Sequence, residues 1–237
     1  MILDAAGRFG FGPSLVVALL AAALVALVSV TSGAYPLAFG DILSVRTGRE
    51  ANDPVASMVL LEVRMPRFLL GFLVGAVLAV SGALLQGMFR NPLADPGLIG
   101  VSAGASLAAI AVIVLGNTWL GGWLAMTGEW ALPIAAFLGG SGTVLLAWRV
   151  ANKSGQTAVA TLLLAGIAIN AIAGAATGLL TFYANDEELR SLTFWTMGSI
   201  AHASWEDIRM LLPWMLLLVI AVPWLARPLN AMLLGEA

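Results

Sequence analysis

The first residues that could do chemistry are serines set between glycines. The run Gly100-Val-Ser102-Ala-Gly104 fits the G-x-S-x-G pattern, in which a sharp turn between a strand and a helix exposes a serine nucleophile. That turn needs a buried strand before it and a soluble sheet around it. Here the motif opens a long apolar stretch that is typical of a membrane helix. We therefore interpret its glycines as contacts between helices rather than as part of a hydrolase.

A second serine, Ser141 in the run Gly139-Gly-Ser141-Gly142, raises the alternative of an intramembrane serine protease of the rhomboid type. His202 is the single histidine of the chain and would have to accept the serine proton. It lies in a polar link, Ala201-His-Ala-Ser204, rather than within an apolar span. The apolar stretch at residues 68–89 also lacks the histidine or asparagine cluster that would hold an oxyanion. Helix packing is the better interpretation of Ser141, and the protease remains an alternative.

Composition identifies the surroundings of the chain. Hydrophobic residues make up 60% of the 237 residues and charged residues 10%, whereas soluble domains carry about 25% charged residues. We therefore expect lipid to surround most of the chain. The net charge of −2 provides no basic surface for nucleic acid, and the absence of cysteine excludes a thiolate nucleophile or a cysteine-ligated metal. No metal site and no catalytic residue are predicted.

Charge-free stretches predict the elements that must position these residues. A helix that crosses a bilayer needs about 20 apolar residues. Six spans are predicted, at residues 15–31, 68–89, 98–115, 131–148, 158–183 and 210–226. Residues 41–64 are predicted to form a polar loop outside the bilayer, and residues 189–200 a short amphipathic stretch at its surface. The fold class is an all-α, polytopic transmembrane helical bundle, with residues 1–237 as a single domain.

Small residues spaced four apart predict where helices pack closely. Gly71/Gly75, Gly100/Gly104 and Gly174/Gly178 each follow the small-xxx-small pattern that lets two backbones approach. Each pair is therefore predicted to lie at a helix contact.

The energy source must lie outside this sequence. No predicted span contains Asp, Glu, Lys or Arg, which argues against an ion-coupled carrier, where such groups usually mark the pathway. Lys153-Ser154 lacks the glycine directly before the lysine that a Walker A phosphate loop requires. If ATP drives this protein, another chain binds the nucleotide.

Orientation does not follow from the charges. With the N-terminus in the cytosol, the inner side holds five cations, Arg8, Arg90, Arg149, Lys153 and Arg227. The outer side then holds six, Arg46, Arg49, Arg64, Arg67, Arg190 and Arg209. The usual excess of cytosolic cations is missing, so either the orientation is reversed or some outer arginines serve a task that overrides it.

A long, ordered series of motifs identifies a family. It comprises Arg64-Met-Pro-Arg67, Ser81-Gly-Ala-Leu-Leu-Gln86, Asn91-Pro-Leu-Ala-Asp-Pro-Gly97-Leu-Ile-Gly100, Leu163-Leu-Ala-Gly166, Leu189-Arg-Ser-Leu-Thr-Phe-Trp195, Arg227-Pro-Leu-Asn230 and Leu234-Gly-Glu-Ala237. Together these runs resemble the permease family of iron-siderophore, haem and cobalamin ABC importers. The resemblance covers most of the chain from Arg64 onward.

The resemblance implies an architecture larger than this sequence. Members of the family have about ten membrane helices, work as homodimers and carry substrate along the dimer axis, whereas six spans are predicted here. The Leu234-Gly-Glu-Ala237 motif opens the cytosolic coupling helix in the family, so Gly235 and Glu236 are implied to contact the ATPase. Further spans of about 20 residues each, over roughly a hundred residues, are therefore expected beyond Ala237.

The resemblance also implies binding and gating residues. Arg64 and Arg67 would lie on the outer face and pair with glutamates of a periplasmic substrate-binding protein, with Pro66 fixing a turn that lets both project. Interfacial anchoring of the second span is the alternative for this pair. Asn91 and Leu93 would form part of a cytosolic gate. The hydroxyl residues of the other gate segment are replaced here by Val159 and Ala160.

The implied function is that of the multi-pass permease subunit of an ATP-driven importer in the bacterial inner membrane. Its partners would be a second permease copy, a cytosolic ATPase dimer, the substrate-binding protein and membrane lipid. The chain itself would be no enzyme and hold no cofactor, since ATP and Mg²⁺ would bind to the ATPase. The run Leu192-Thr-Phe-Trp-Thr-Met-Gly198 looks most like the haem branch, with ferric siderophore and cobalamin as alternatives.

Overall fold

The computed structural model describes residues 11–37, 54–116, 118–153, 156–157 and 159–233. The elements in chain order are α1 Phe11–Thr31, α2 Pro54–Met58, a π-helical segment Val59–Arg64, α3 Met65–Phe89, a 3₁₀ turn Pro96–Ile99, α4 Val101–Leu115, α5 Gly121–Thr127, a 3₁₀ turn Gly128–Trp130, α6 Ala131–Ala151, β1 Asn152–Lys153, β2 Gln156–Thr157, α7 Val159–Tyr183, α8 Asp186–Met197 and α9 Trp205–Leu233. The predicted all-α class is confirmed. The two short strands pair as an antiparallel hairpin, in the polar segment between the fourth and fifth predicted spans.

Within the described residues, five helical stretches are long and apolar enough to cross a membrane. They are Gly12–Thr31, Pro54–Phe89, Gly121–Ala151, Val159–Tyr183 and Trp205–Ala231. The third predicted span, residues 98–115, is shorter than expected because residues 96–99 form a 3₁₀ turn and leave 15 residues for α4. A helix of that length rises about 22 Å, less than the roughly 30 Å of a hydrocarbon core.

The chain divides into two compact units, one of Met1–Val77 with Ile200–Val219 and the other of Leu78–Ser199 with Ile220–Ala237. The buried core of the first unit consists of Leu37, Ala56 and Leu60, with Val30, Tyr35 and Val59 packed against it. In the second unit, α4 contacts α6, α7 and α8, and Ile110 at the middle of α4 is only 1% exposed. Helix α4, too short to match a full span, is therefore the central helix of its unit.

Close packing between α4 and α6 depends on glycine. A Cβ added at Gly139 would lie 2.3 Å from the carbonyl oxygen of Gly104 and 2.5 Å from the Cβ of Ala108. The Thr143 hydroxyl also donates across this contact to the carbonyl of Gly100, at 3.2 Å. Gly104 of the first serine motif and Gly139 of the second thus lie at a helix contact, as the packing interpretation predicts.

The other predicted glycine contacts differ from the structure. An added Cβ at Gly75, Gly174 or Gly178 would meet no atom of the described chain within 4 Å. Of the three small-xxx-small pairs, the Gly100/Gly104 pair lies at a tight helix contact in the described part of the chain. Its partner on α6, Gly139, belongs to the run Gly139-Gly-Ser141-Gly142 and not to any of the three pairs.

The helix after the fifth span begins with a reciprocal cap. The Asn185 side chain accepts bonds from the backbone N–H groups of Glu187 and Glu188, both at 3.0 Å, and the Glu188 carboxylate accepts from the Asn185 N–H at 3.0 Å. This capping box fixes where α8 starts. The helix ends at Gly198, whose φ of +68° suits glycine. The predicted short stretch is thus a helix of 12 residues.

Candidate functional site

The Arg64-Met-Pro-Arg67 motif lies inside a helix and not in the turn that was predicted. The helical stretch Pro54–Phe89 is continuous through the motif. Residues 41–64 were predicted to form an outer loop, but residues 54–64, the part of it that the structure describes, are helical. Proline in a regular helix would lose its N–H bond and clash with the carbonyl four residues earlier. A π-helical segment, Val59–Arg64, precedes Pro66, and the Met65 N–H donates to Leu60, five residues back. The wider turn accommodates Pro66 without ending the helix.

Pro66 also leaves a carbonyl without its helical partner. The carbonyl of Leu61 would accept from residue 66 in the π pattern, but proline has no N–H. The indole N–H of Trp205 donates to this carbonyl at 3.0 Å. The start of α9 is thereby bonded to the π-helical segment within the first unit.

Arg64 is buried rather than projecting, contrary to the prediction for this residue. Its side chain is 6% exposed, and its Nη1 donates to the carbonyl of Val30 at 2.6 Å while Nη2 donates to the carbonyl of Tyr35. Val30 lies in the last turn of α1, where carbonyls have no partner within the helix. The guanidinium therefore caps α1, and its charge is favourable at this negative end of the helix dipole.

Arg67, one turn further along, is exposed. Its Nη2 donates to the carbonyl of Ala201 in the link between α8 and α9. A guanidinium has five N–H donors in a planar fork, so one backbone bond leaves donors for a carboxylate. Arg67 is thus oriented by the protein while its charge remains in reach of a partner.

Both arginines line one cavity of the first unit, with a volume of about 710 Å³. Its walls combine polar groups, such as Ser29, Ser32 and the two arginines, with apolar side chains of Phe68 and Phe72 and other residues of α1 and α3. A Cβ on Gly33, in this wall, would lie 2.6 Å from Nη2 of Arg64. The guanidinium of Arg64 is therefore packed directly on the backbone at Gly33.

Asn91 and Leu93, the predicted gate residues, lie in a structured turn that we call the Asn-Pro turn (residues 91–100). Helix α3 ends with Arg90 at φ +49°, and the bonds Arg90 N–H to Gly87 and Asn91 N–H to Gln86 close a Schellman motif. The Asn91 side chain then accepts from the Leu93 N–H at 2.9 Å. The Leu93 side chain is 83% exposed. The turn therefore holds an apolar side chain outward.

The second half of the Asn-Pro turn is fixed by its own residues. The Asp95 carboxylate accepts from the Gly97 N–H at 2.7 Å, and Pro96 occupies the first helical position, where its missing N–H costs nothing. Gly100 has φ +96°, a conformation that favours glycine, and ends the 3₁₀ turn before α4. Local residue types therefore account for this geometry.

Asn170 on α7 contacts this turn and was not identified from the sequence. Its Nδ2 donates to the carbonyl of Gly97 at 3.0 Å. Functional residues within membrane spans are most easily recognised by charge, and an asparagine carries none. Polar amides in membrane helices commonly bond across helices, so this residue type was the available signal.

The remaining predicted site residues lie at the start of α7 or beyond the described part of the chain. Gly235 and Glu236 lie outside the described residues. Val159 and Ala160, at the start of α7, are both exposed. No group of three or more His, Cys, Asp or Glu that could hold a metal ion occurs among the described residues.

Comparison with known proteins gives one consistent match. The FecCD transport family matches residues 19–237. The hemin transport system permease HmuU of Yersinia pestis is 39% identical over 217 residues, covering 90% of this chain and 61% of that protein. The cobalamin import system permease BtuC of Halobacterium salinarum is 35% identical over 209 residues, covering 88% of this chain and 54% of that protein.

A third relative and one solved structure agree. The vitamin B12 import system permease BtuC of Salmonella paratyphi A is 36% identical over 217 residues, covering 90% of this chain and 60% of that protein. The solved structure, assigned as a metal-chelate type ABC transporter in an inward-facing conformation, superposes with a TM-score of 0.69 at 32% identity, covering 86% of this chain and 59% of its own. The chain thus spans between 54% and 61% of the length of these curated relatives.

Proposed function

The chain belongs to the FecCD transport family, and we propose that it forms the membrane-spanning permease part of an ATP-driven ABC importer in the bacterial cytoplasmic membrane. The observation that carries this proposal is the family match over residues 19–237. The helix cores at residues 68–89, 101–115, 131–148, 159–183 and 210–226 contain no Asp, Glu, Lys, Arg or His, so the charged groups that usually mark an ion-coupled pathway are missing there. Energy would come from a separate ATPase subunit, which binds ATP and Mg²⁺, and the permease performs no covalent chemistry.

Haem is the proposed substrate. The haemin permease relative is 39% identical, against 35% and 36% for the two cobalamin permeases. Haem and cobalamin are both metal chelates of a large tetrapyrrole-type macrocycle, so the relatives agree on the chemical class of the cargo. Cobalamin is therefore the second candidate, and a ferric siderophore follows from the wider family resemblance.

The proposed pathway runs between two copies of the permease. Asn91 and Leu93 would narrow its cytosolic end, because the Asn-Pro turn presents Leu93 outward on a fixed backbone. Gly235 and Glu236 would contact the ATPase. These roles are carried over from the family motifs onto the matching residues.

On the outer face, we assign the two arginines different tasks. Arg67 would bind a carboxylate of a periplasmic substrate-binding protein, because it is exposed and its fork retains donors. Arg64 would hold α1 against the π-helical segment, because both of its terminal nitrogens donate to backbone carbonyls and its side chain is buried. Only Arg67 of the pair would then contribute directly to partner affinity.

We expect haemin uptake to require the partner ATPase. The permease is purified from its own membranes together with the proteins bound to it. The complex is reconstituted into liposomes that enclose a haem-binding protein in its haem-free form. Formation of the Soret band inside the liposomes then measures uptake. Uptake is expected with Mg-ATP and the substrate-binding protein, because the helix cores lack the charged groups that usually mark an ion-coupled pathway.

The control replaces ATP by a non-hydrolysable analogue, and a second sample receives a proton or sodium gradient without ATP. Uptake driven by either gradient alone would contradict the proposal. Stimulation of ATP hydrolysis by haemin-loaded or cyanocobalamin-loaded binding protein, in parallel samples, decides between the two substrates.

A further inference from the structure

In the second unit, one amide on an apolar helix makes a contact that the proposed function leaves without a role. Asn170 lies within Val159–Tyr183, and its side chain bonds to the backbone of the Asn-Pro turn at Gly97. We propose that Asn170 is a positioning residue that ties this turn to α7, so that the cytosolic gate moves with that helix. This inference rests on the proposed gate role of Asn91 and Leu93.

The same face of α7 carries the rest of the contact. Gly166 lies one turn before Asn170, so the two residues are on the same face of the helix. A Cβ on Gly166 would lie 2.1 Å from the Leu98 carbonyl oxygen and 2.8 Å from the Ile99 Cα. The backbone of the turn therefore rests on the helix itself. A shift of α7 along or about its axis must displace the turn.

Hydrogen bonds fix both halves of the turn, from the carbonyl that Asn170 contacts to the backbone at Leu93. The Gly97 carbonyl that accepts from Asn170 also accepts from the Gly100 N–H at 3.1 Å, and the Gly97 N–H donates to Asp95. Ala94 N–H donates to the Asn91 carbonyl at 3.1 Å, and Leu93 N–H donates to the Asn91 side chain. Two prolines within the turn further restrict its backbone. The turn is thus stiff enough to transmit a displacement.

Removing the amide should loosen this connection while sparing the helix. Asparagine-to-alanine replacement in a helix interior improves helix propensity, so α7 itself should persist. A side-chain bond between membrane helices shifts an equilibrium by about three- to twentyfold. We expect Asn170→Ala to raise the population of a displaced turn by that factor.

The first experiment measures the turn directly. The chain contains no cysteine, so Leu93→Cys provides one attachment site in this sequence for a nitroxide label, on a side chain that is already 83% exposed. In the reconstituted transporter complex, Asn170→Ala should increase the mobility of this label. The matched control is Thr181→Ala on the same helix, which removes a hydroxyl that donates to the Thr177 carbonyl in its own helix, at 2.8 Å. An unchanged spectrum for Asn170→Ala would overturn the inference.

The second experiment measures function as haemin transported per ATP hydrolysed. Asn170→Ala should lower this ratio severalfold, whereas Thr181→Ala should leave it unchanged. If Asn170 acts through Leu93, then adding Asn170→Ala to a Leu93→Ala background should cause little further loss. Equal losses in both backgrounds would show an independent structural role and would overturn the inference.

The two experiments separate the inference from the gate proposal on which it rests. If Leu93→Ala leaves the transport ratio unchanged, the gate role of Leu93 is wrong, and the label at position 93 still decides whether Asn170 holds the turn. If Leu93→Ala lowers the ratio but Asn170→Ala behaves like Thr181→Ala in both measurements, the positioning role is wrong and the gate role stands.

Discussion

Gly139→Val should prevent stable folding of the second unit, whereas Gly142→Val, three residues along the same helix, should be tolerated. A Cβ at position 139 would lie 2.3 Å from the Gly104 carbonyl oxygen, and that oxygen belongs to a helix backbone that cannot rotate away. At Gly142 an added Cβ meets no atom of the described chain within 4 Å. The two variants have the same change in volume and helix propensity, so packing alone distinguishes them.

The cost at Gly139 should exceed that of ordinary overpacking, which is about 1–3 kcal/mol. Relief of the clash requires α4 and α6 to separate, and separation also breaks the bond from the Thr143 hydroxyl to the Gly100 carbonyl. The measurement is the fraction of detergent-purified transporter that elutes as a folded complex, together with its melting temperature. A melting temperature of Gly139→Val equal to that of Gly142→Val would contradict the α4–α6 contact.

The glycine contacts show what spacing can and cannot predict. A four-residue interval between small residues identifies a helix face that could approach a neighbour, but it does not identify the neighbour. Gly104 lies in such a contact, and its partner Gly139 comes from a run that also raised the protease alternative. Gly174 and Gly178 have the same spacing and face open space within the described chain. The choice of face depends on tertiary packing.

Local residue types account for the Asn-Pro turn more fully than for the arginine motif. In the turn, Asn91, Asp95 and Gly100 bond to backbone groups at most five residues away, so nearby residues are enough to account for a structured link. At Arg64-Met-Pro-Arg67 the family resemblance implied a turn, fixed by Pro66, from which both arginines would project. The π-helical segment before Pro66 instead keeps the helix continuous.

The burial of Arg64 depends on residues distant in sequence. Its acceptors, the carbonyls of Val30 and Tyr35, lie 34 and 29 positions earlier and are backbone groups of no particular residue type. Asn170 was missed for the same reason, since it bonds to a glycine carbonyl 73 positions away. The spans were predictable because a helix surrounded by lipid needs a long apolar stretch of sequence. The contacts of Arg64 and Asn170 instead depend on which backbone groups the fold brings together.

Arg67→Gln should weaken binding of the substrate-binding protein while leaving the melting temperature unchanged, and Arg64→Gln should do the reverse. Glutamine removes the charge in both variants and keeps one amide donor. Arg67 is exposed, and the loss there would be the proposed charged contact with the partner. At the buried Arg64 the loss is a bidentate cap on two carbonyls, and leaving one of them unsatisfied costs about 1–3 kcal/mol.

Arg67→Glu enlarges the effect on binding because attraction becomes repulsion. We expect affinity for the binding protein to fall about ten- to a hundredfold at low salt, and the difference from the unmodified protein to shrink as salt screens the charges. The measurement is affinity against ionic strength, with the transporter in nanodiscs and the proposed substrate-binding protein in solution. Arg209→Glu, an exposed arginine near the start of α9, provides the matched control for net charge.

Each alternative for the arginine pair has a distinct result in this series. Equal loss of affinity in Arg64→Gln and Arg67→Gln, without a change in melting temperature, would mean that both side chains reach the partner and that the buried position of Arg64 changes on binding. Unchanged affinity and salt dependence in Arg67→Glu would make Arg67 an interfacial anchor only. The assigned division of tasks requires the two neutral variants to differ in opposite directions, because one guanidinium is bonded on both nitrogens within the protein and the other is exposed.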